Sequence, residues 1–160
     1  MNCITILIAA IVAFIAVQQY FLAREKFKLD LFEKRFAIFK ATEAFINAIV
    51  GARSSCVENF SEWHRRFSLD TQTACFVFDG GMATFLDDLV KKGNRVTVAY
   101  GLKNEPRAST DPAIIEALKD AKQIQDEFIT IQGQLKDRFS PYLKFENWKY
   151  GFLWGLKNES

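Results

Sequence analysis

The sequence predicts an all-α protein in which a single N-terminal transmembrane helix continues into a small antiparallel cytoplasmic helical bundle. Three observations lead there. Residues 4–22, bounded by Ile4 and Leu22, form an apolar run with no charge, no proline and no glycine. The first glycine is Gly51 and the first proline Pro106, so nothing breaks a helix before residue 51. Past the run, apolar residues recur at spacings of three, four and seven, the period of an α-helix and not of a strand.

The N-terminal run is read as an anchor. Nineteen residues of helix rise about 28 Å, close to the ~30 Å hydrocarbon core of a bilayer. A cleaved signal would need a basic n-region, a shorter apolar core and a small-x-small cleavage site; Met1-Asn2-Cys3 is uncharged and Val17-Gln18-Gln19-Tyr20 cleaves poorly. Cys3 precedes the run, which is the wrong order for a lipoprotein. Basic residues set the orientation. None precedes the span, whereas Arg24, Lys26, Lys28, Lys34, Arg35 and Lys40 follow it. The expected location is therefore the inner (cytoplasmic) membrane, crossed once, with the N-terminus outside and the bulk of the chain cytoplasmic. The division is an anchor at 1–23, a helical bundle domain at 24–143 and an aromatic tail at 144–160.

Each element has its own signal. Phe27, Leu31/Phe32, Phe36, Ile38/Phe39, Thr42, Phe45/Ile46 and Ile49 make a wide stripe, so span and cytoplasmic helix form one rod of about 70 Å ending at or just before Gly51. Asp30 and Lys34 are spaced for an ion pair on its wet face. Val57, Phe60, His64 and Phe67 fit a short helix, Ser68-Leu69-Asp70 a break with a capping aspartate, and Ala74, Cys75, Val77 and Phe78 a second short helix. After Asp79-Gly80-Gly81, the stripe Met82, Phe85/Leu86, Leu89/Val90, Gly93, Val96 and Tyr100 predicts a longer helix. The run Arg95-Val96-Thr97-Val98 favours a strand by propensity, but it has no pairing partner and the heptad-like Met82, Leu89, Val96 decides for helix. Asp111-Pro112 opens the last helix as a capping side chain with proline at the first position. Its stripe, from Ile114 through Leu118, Ala121, Ile124, Phe128, Ile131 and Leu135 to Phe139, is expected to stop at Ser140-Pro141.

Composition excludes more than it selects. All 21 basic and 19 acidic residues lie beyond residue 23, so the domain is nearly neutral and has no nucleic-acid footprint. Cys3, Cys56 and Cys75 are odd in number and lack metal spacing. His64 is the single histidine; it has no neighbouring nucleophile in a catalytic context and reads as structural. Asp87 and Asp88 point about 100° apart on a helix and read as a solvated face. Gly80-Gly81 lacks the Lys-Ser/Thr of a phosphate loop and reads as a helix-start turn. No catalytic residue, metal or cofactor is expected, and the chain is read as no enzyme.

Two further features bear on interaction. Ala9, Ala13 and Ala16 share one face of the span, where small residues let helices approach, and Gln18 and Gln19 add amide donors near its cytoplasmic end. Trp148, Tyr150 and Trp154 lie in a stretch with five aromatics, suited either to the membrane interface or to covering the bundle.

The segments Lys28-Leu29-Asp30-Leu31-Phe32-Glu33-Lys34-Arg35-Phe36, Phe76-Val77-Phe78 and Arg138-Phe139-Ser140-Pro141-Tyr142-Leu143 resemble a group of short bacterial membrane-anchored proteins with a helical cytoplasmic domain, for which no activity is established. The resemblance covers residues 24 to about 145. It implies the fold and adds no chemistry.

The expected function is a non-catalytic, membrane-tethered protein–protein interaction module. Its partners are the lipid bilayer, a protein partner and, through the alanine face, a second copy, with no nucleic acid. The alternative is a small membrane-acting effector or pore/lysis-type subunit triggered through the cytoplasmic domain; an uncharged span favours the anchor. An enzyme with an unrecognised carboxylate site comes third.

Overall fold

Helix α1 (Cys3–Gly51) spans 49 residues without a break and changes its environment along the way. The computed structural model describes residues 3–51, 60–103, 105–106 and 110–144, and its other helices are α2 (Phe60–Thr71), α3 (Ala74–Val77), α4 (Gly80–Leu102) and α5 (Pro112–Leu143). No strand occurs among the described residues, and Arg95 to Val98 lie inside α4. From Cys3 to Ala37 no α1 side chain is fully buried; from Ile38 onward Ile38, Phe39, Thr42, Phe45, Ile46 and Ile49 enter the core.

Phenylalanine rings organise that core. Phe45 stacks on Phe67 of α2 with centroids 4.2 Å apart and meets Phe128 of α5 edge-on at 6.0 Å. Gly93 of α4 makes room for it: a Cβ there would run into the Phe45 ring and come within 3.2 Å of His64 Cδ2. Phe39 meets Phe139 at 5.2 Å, and Phe139 in turn meets Phe78 at 5.6 Å. Aliphatic side chains of α4 complete the core, with Leu86, Leu89 and Val96 buried between the phenylalanines.

Among the described residues, every buried polar side-chain atom has a hydrogen-bond partner. Gln125 of α5, buried, donates through Nε2 to the Ile49 carbonyl (3.2 Å) and accepts from the Tyr100 hydroxyl (2.9 Å). It thereby satisfies a carbonyl in the last turn of α1, where intrahelical partners run out. The Thr42 hydroxyl donates to the Ile38 carbonyl at 2.7 Å. Gln132 Nε2 donates to Asn47 Oδ1 at 2.6 Å, and Arg95 pairs with Asp120 at 2.5 Å across α4 and α5.

Three local expectations are corrected. The break expected at Ser68-Leu69-Asp70 falls at Gln72-Thr73 instead, and Asp70 is the penultimate residue of α2. Thr71 Oγ1 donates to the carbonyls of Phe67 (2.8 Å) and Ser68 (3.4 Å), so α2 carries its own terminal partner and has no need to stop earlier. Helix α5 continues through Ser140-Pro141 to Leu143. Proline removes one donor there, but Lys144 N donates to the Ser140 carbonyl at 3.1 Å, so the ladder resumes after it. After the apolar run, α1 pairs Lys28 with Glu25 and Lys40 with Glu43, both at 2.8 Å, and among the described residues no ion pair joins Asp30 to Lys34. Helix starts agree better with sequence: Asp79 Oδ1 accepts from Met82 N and Asp111 Oδ1 from Ala113 N, both at 2.9 Å, with Pro112 opening α5.

Candidate functional site

Arg35 sits on α1 where the exposed rod meets the bundle. Its Nε donates to the Val77 carbonyl at 2.7 Å, and one terminal nitrogen reaches the Tyr142 carbonyl at 3.5 Å. Its guanidinium lies 5.8 Å from the ring centroids of both Phe78 and Tyr142, which meet edge-on at 5.1 Å. A planar fork that bonds carbonyls and stacks on rings together is particular to arginine. The Tyr142 hydroxyl donates to Asp79 Oδ2, while Asp79 Oδ1 caps α4. One arginine, one tyrosine and one aspartate thus tie α1, the α3–α4 junction and the end of α5 into a knot.

The knot perturbs its acids in a defined way. The Tyr142 hydroxyl and the Met82 amide hold the Asp79 carboxyl below the usual carboxylate range. The Asp79 carboxylate, helped by burial, pushes the Tyr142 hydroxyl above its ordinary value. Every group in it is engaged by a neighbour, so it has the chemistry of a fastener. Three segments quoted in the sequence analysis meet in it: Arg35 from the first, Val77 and Phe78 from the second, Tyr142 from the third. Sequence reasoning used Arg35 as one of the charges that follow the apolar run and as part of a quoted segment, and assigned it no contact.

The residues singled out in sequence sit as follows. Ala9, Ala13, Ala16, Gln18 and Gln19 are exposed along α1, as are Ile4 and Leu22 at the ends of the run. Trp148, Tyr150 and Trp154 lie outside the described residues. His64, half-buried, places Nε2 3.0 Å from the Val90 carbonyl and its ring 6.2 Å from that of Phe45. Asp87 and Asp88 pair with Lys91 (2.7 Å) and Lys92 (3.0 Å), each one turn on, and Lys92 also reaches Glu127 at 3.0 Å. Glu62 accepts from Arg65 and Arg66 at 2.8 Å, which lowers its carboxyl to about 2. Gly80 and Gly81 open α4 beneath the Asp79 cap. Among the described residues no group of three His, Cys, Asp or Glu side chains could hold a metal ion.

Two surface features remain. An open groove of about 430 Å³ runs between α1 and the α2–α3 corner, lined by Lys34, Ile38, Asp70, Thr73 and Phe76, and Phe76 is 85% exposed. The other is α1 itself: it is long and apolar enough to cross a membrane, and its most apolar window has none of its residues buried. No family model, curated protein or solved structure matches this chain.

Proposed function

We propose that the chain is a single-pass membrane protein whose helical domain is held at the cytoplasmic face as a non-catalytic interaction module. One observation carries the reading. A single uninterrupted helix is charge-free and wholly exposed over its first stretch, then supplies the core of a bundle from Ile38 onward. Exposed apolar side chains in such number are tolerable in lipid and costly in water, at about 25 cal/mol per Å². The basic residues that follow the run support a cytoplasmic domain.

The bundle is read as antiparallel, on the inverse order of its contacts: Phe39, Asn47 and Ile49 of α1 meet Phe139, Gln132 and Gln125 of α5. This arrangement makes the rod a rigid stalk, locked to the domain by the Arg35 knot. The groove beside Phe76 is the surface offered to a protein partner, and the Ala9, Ala13 and Ala16 face the surface offered to a second copy. Membership of the bacterial membrane-anchored group is part of the same proposal.

Carbonate extraction at high pH tests the anchor, and protease added outside intact cells tests the orientation. Retention in the pellet with the domain protected is expected; release by carbonate overturns the reading. Pull-down from native membranes should then recover a stoichiometric partner that a charge at Phe76 (Phe76→Asp) releases. Depolarisation that tracks expression level would replace the tether with a membrane-acting effector.

A further inference from the structure

The groove between α1 and the α2–α3 corner carries both halves of a contact. Two of its lining side chains, Ile38 and Val77, are apolar and buried, while Phe76 of α3 stands beside them 85% exposed. Its two sides carry opposite charges, Lys34 on α1 and Asp70 near the end of α2. Both are exposed, and among the described residues neither meets an opposite charge. One side of α1 leads to the groove. At about 100° per residue, Ala9, Ala16, Phe27 and Lys34 fall within about 20° of one another around the helix. Phe27 is 69% exposed there.

We propose that a second copy of this chain occupies the groove, in a symmetric pair whose two α1 rods run parallel. The pair rests on the reading of the groove as a partner surface and supplies that partner. A two-fold axis requires a patch that complements itself, with a projection and a recess, and with both signs of charge. This groove has all four. Phe76 enters the recess of the other copy, Lys34 faces the partner's Asp70, and Asp70 faces the partner's Lys34. Copies anchored in one bilayer meet at equal heights, so the axis must run along α1. The groove satisfies this too: Lys34 and Ile38 line it together with Asp70 and Phe76, so its two sides share one level of the rod. The same axis brings the Ala9 and Ala16 side of one rod toward that of the other, where small side chains permit close approach. With 21 basic and 19 acidic residues, net charge adds little repulsion between copies.

Charge reversal and mixing in the detergent-solubilised full chain test it, with sedimentation velocity as the readout. Lys34, Asp70 and Phe76 are exposed, so substitutions there leave the core intact. Wild type should form a dimer, and Phe76→Asp should weaken it. Lys34→Glu alone sets like charges against each other at both contacts, and so does Asp70→Lys. Each should weaken the dimer about tenfold. An equal mixture of the Lys34→Glu and Asp70→Lys chains should recover the wild-type dimer, because opposite charges then meet at both contacts. A monomeric wild type, a dimer indifferent to all three substitutions, or a mixture no stronger than its components would each overturn the proposal. If the wild type is monomeric while Phe76→Asp still releases a stoichiometric partner from native membranes, the second copy falls and the groove stays a partner surface. If Phe76→Asp changes neither association nor recovery, both readings fall.

Discussion

The Phe45 ring occupies the space that a side chain at Gly93 would need, and it is sandwiched there against Phe67. Gly93 is helical and its substitution would bring no backbone strain, so its role is volume alone.

Gly93→Ala should therefore destabilise the domain, although alanine improves helix propensity by about 0.8–1.0 kcal/mol. Overpacking costs about 1–3 kcal/mol and outweighs that gain. Thermal melts of the full chain in detergent should show a lower Tm for Gly93→Ala, with part of the loss recovered by adding Phe45→Leu. A rise in Tm for the single variant would mean the ring yields freely.

Arg35→Lys should behave like Arg35→Ala and not like wild type. Lysine keeps the charge but cannot bond the Val77 carbonyl while stacking on Phe78 and Tyr142. Loss of a part-buried hydrogen bond to a charged group costs about 1.5–3 kcal/mol, readable as a shifted denaturant midpoint. A lysine variant with the wild-type midpoint would reduce Arg35 to a point charge.

The Asp79–Tyr142 contact predicts stability that falls at both ends of the pH scale. Asp79 has a lowered folded pKa, so its contribution is present above the ordinary carboxylate range and is lost as pH falls through the lowered value. Tyr142 has a raised pKa, so its contribution is complete below the ordinary tyrosine value and is lost as pH rises through the raised one. Melts of wild type, Asp79→Asn and Tyr142→Phe against pH should show Asp79→Asn flatter at the acid end and Tyr142→Phe flatter at the alkaline end. Parallel curves for all three would remove the contact from the stability of the fold.

Gln125→Leu should cost about 1–3 kcal/mol, because the Ile49 carbonyl and Tyr100 hydroxyl lose their shared partner in the core. Hydrogen exchange should quicken at the C-terminal turn of α1 before it quickens elsewhere. Exchange raised equally along all helices would point to a general loss of packing.

Phe39→Ala should cost about 3–5 kcal/mol, and Ile38→Pro about 3 kcal/mol or more by breaking α1 where it enters the core. Denaturant titration measures both. Wild-type midpoints would mean that the stripe is not what holds the bundle.

Sequence by itself determined the helical class, the uninterrupted run of α1 to Gly51, the cap at Asp111, and which faces are apolar. Each of these follows from spacing, breakers or capping within a few residues along the chain, and such forces act on an isolated segment as they do on the folded one. Local rules misjudged the end of α2 and the passage of α5 through Pro141, since both ends are kept by partners: the Thr71 hydroxyl in one case, the grip of Arg35 and Asp79 on Tyr142 in the other. Only the tertiary structure decided the knot itself, whose contacts join residues 42, 63 and 107 positions apart. It also decided the fit of Gly93 to Phe45 and the use of Gln125 as a partner for Ile49. No period along one helix encodes these, because whether a side chain is covered depends on which distant segment the packed bundle brings to it.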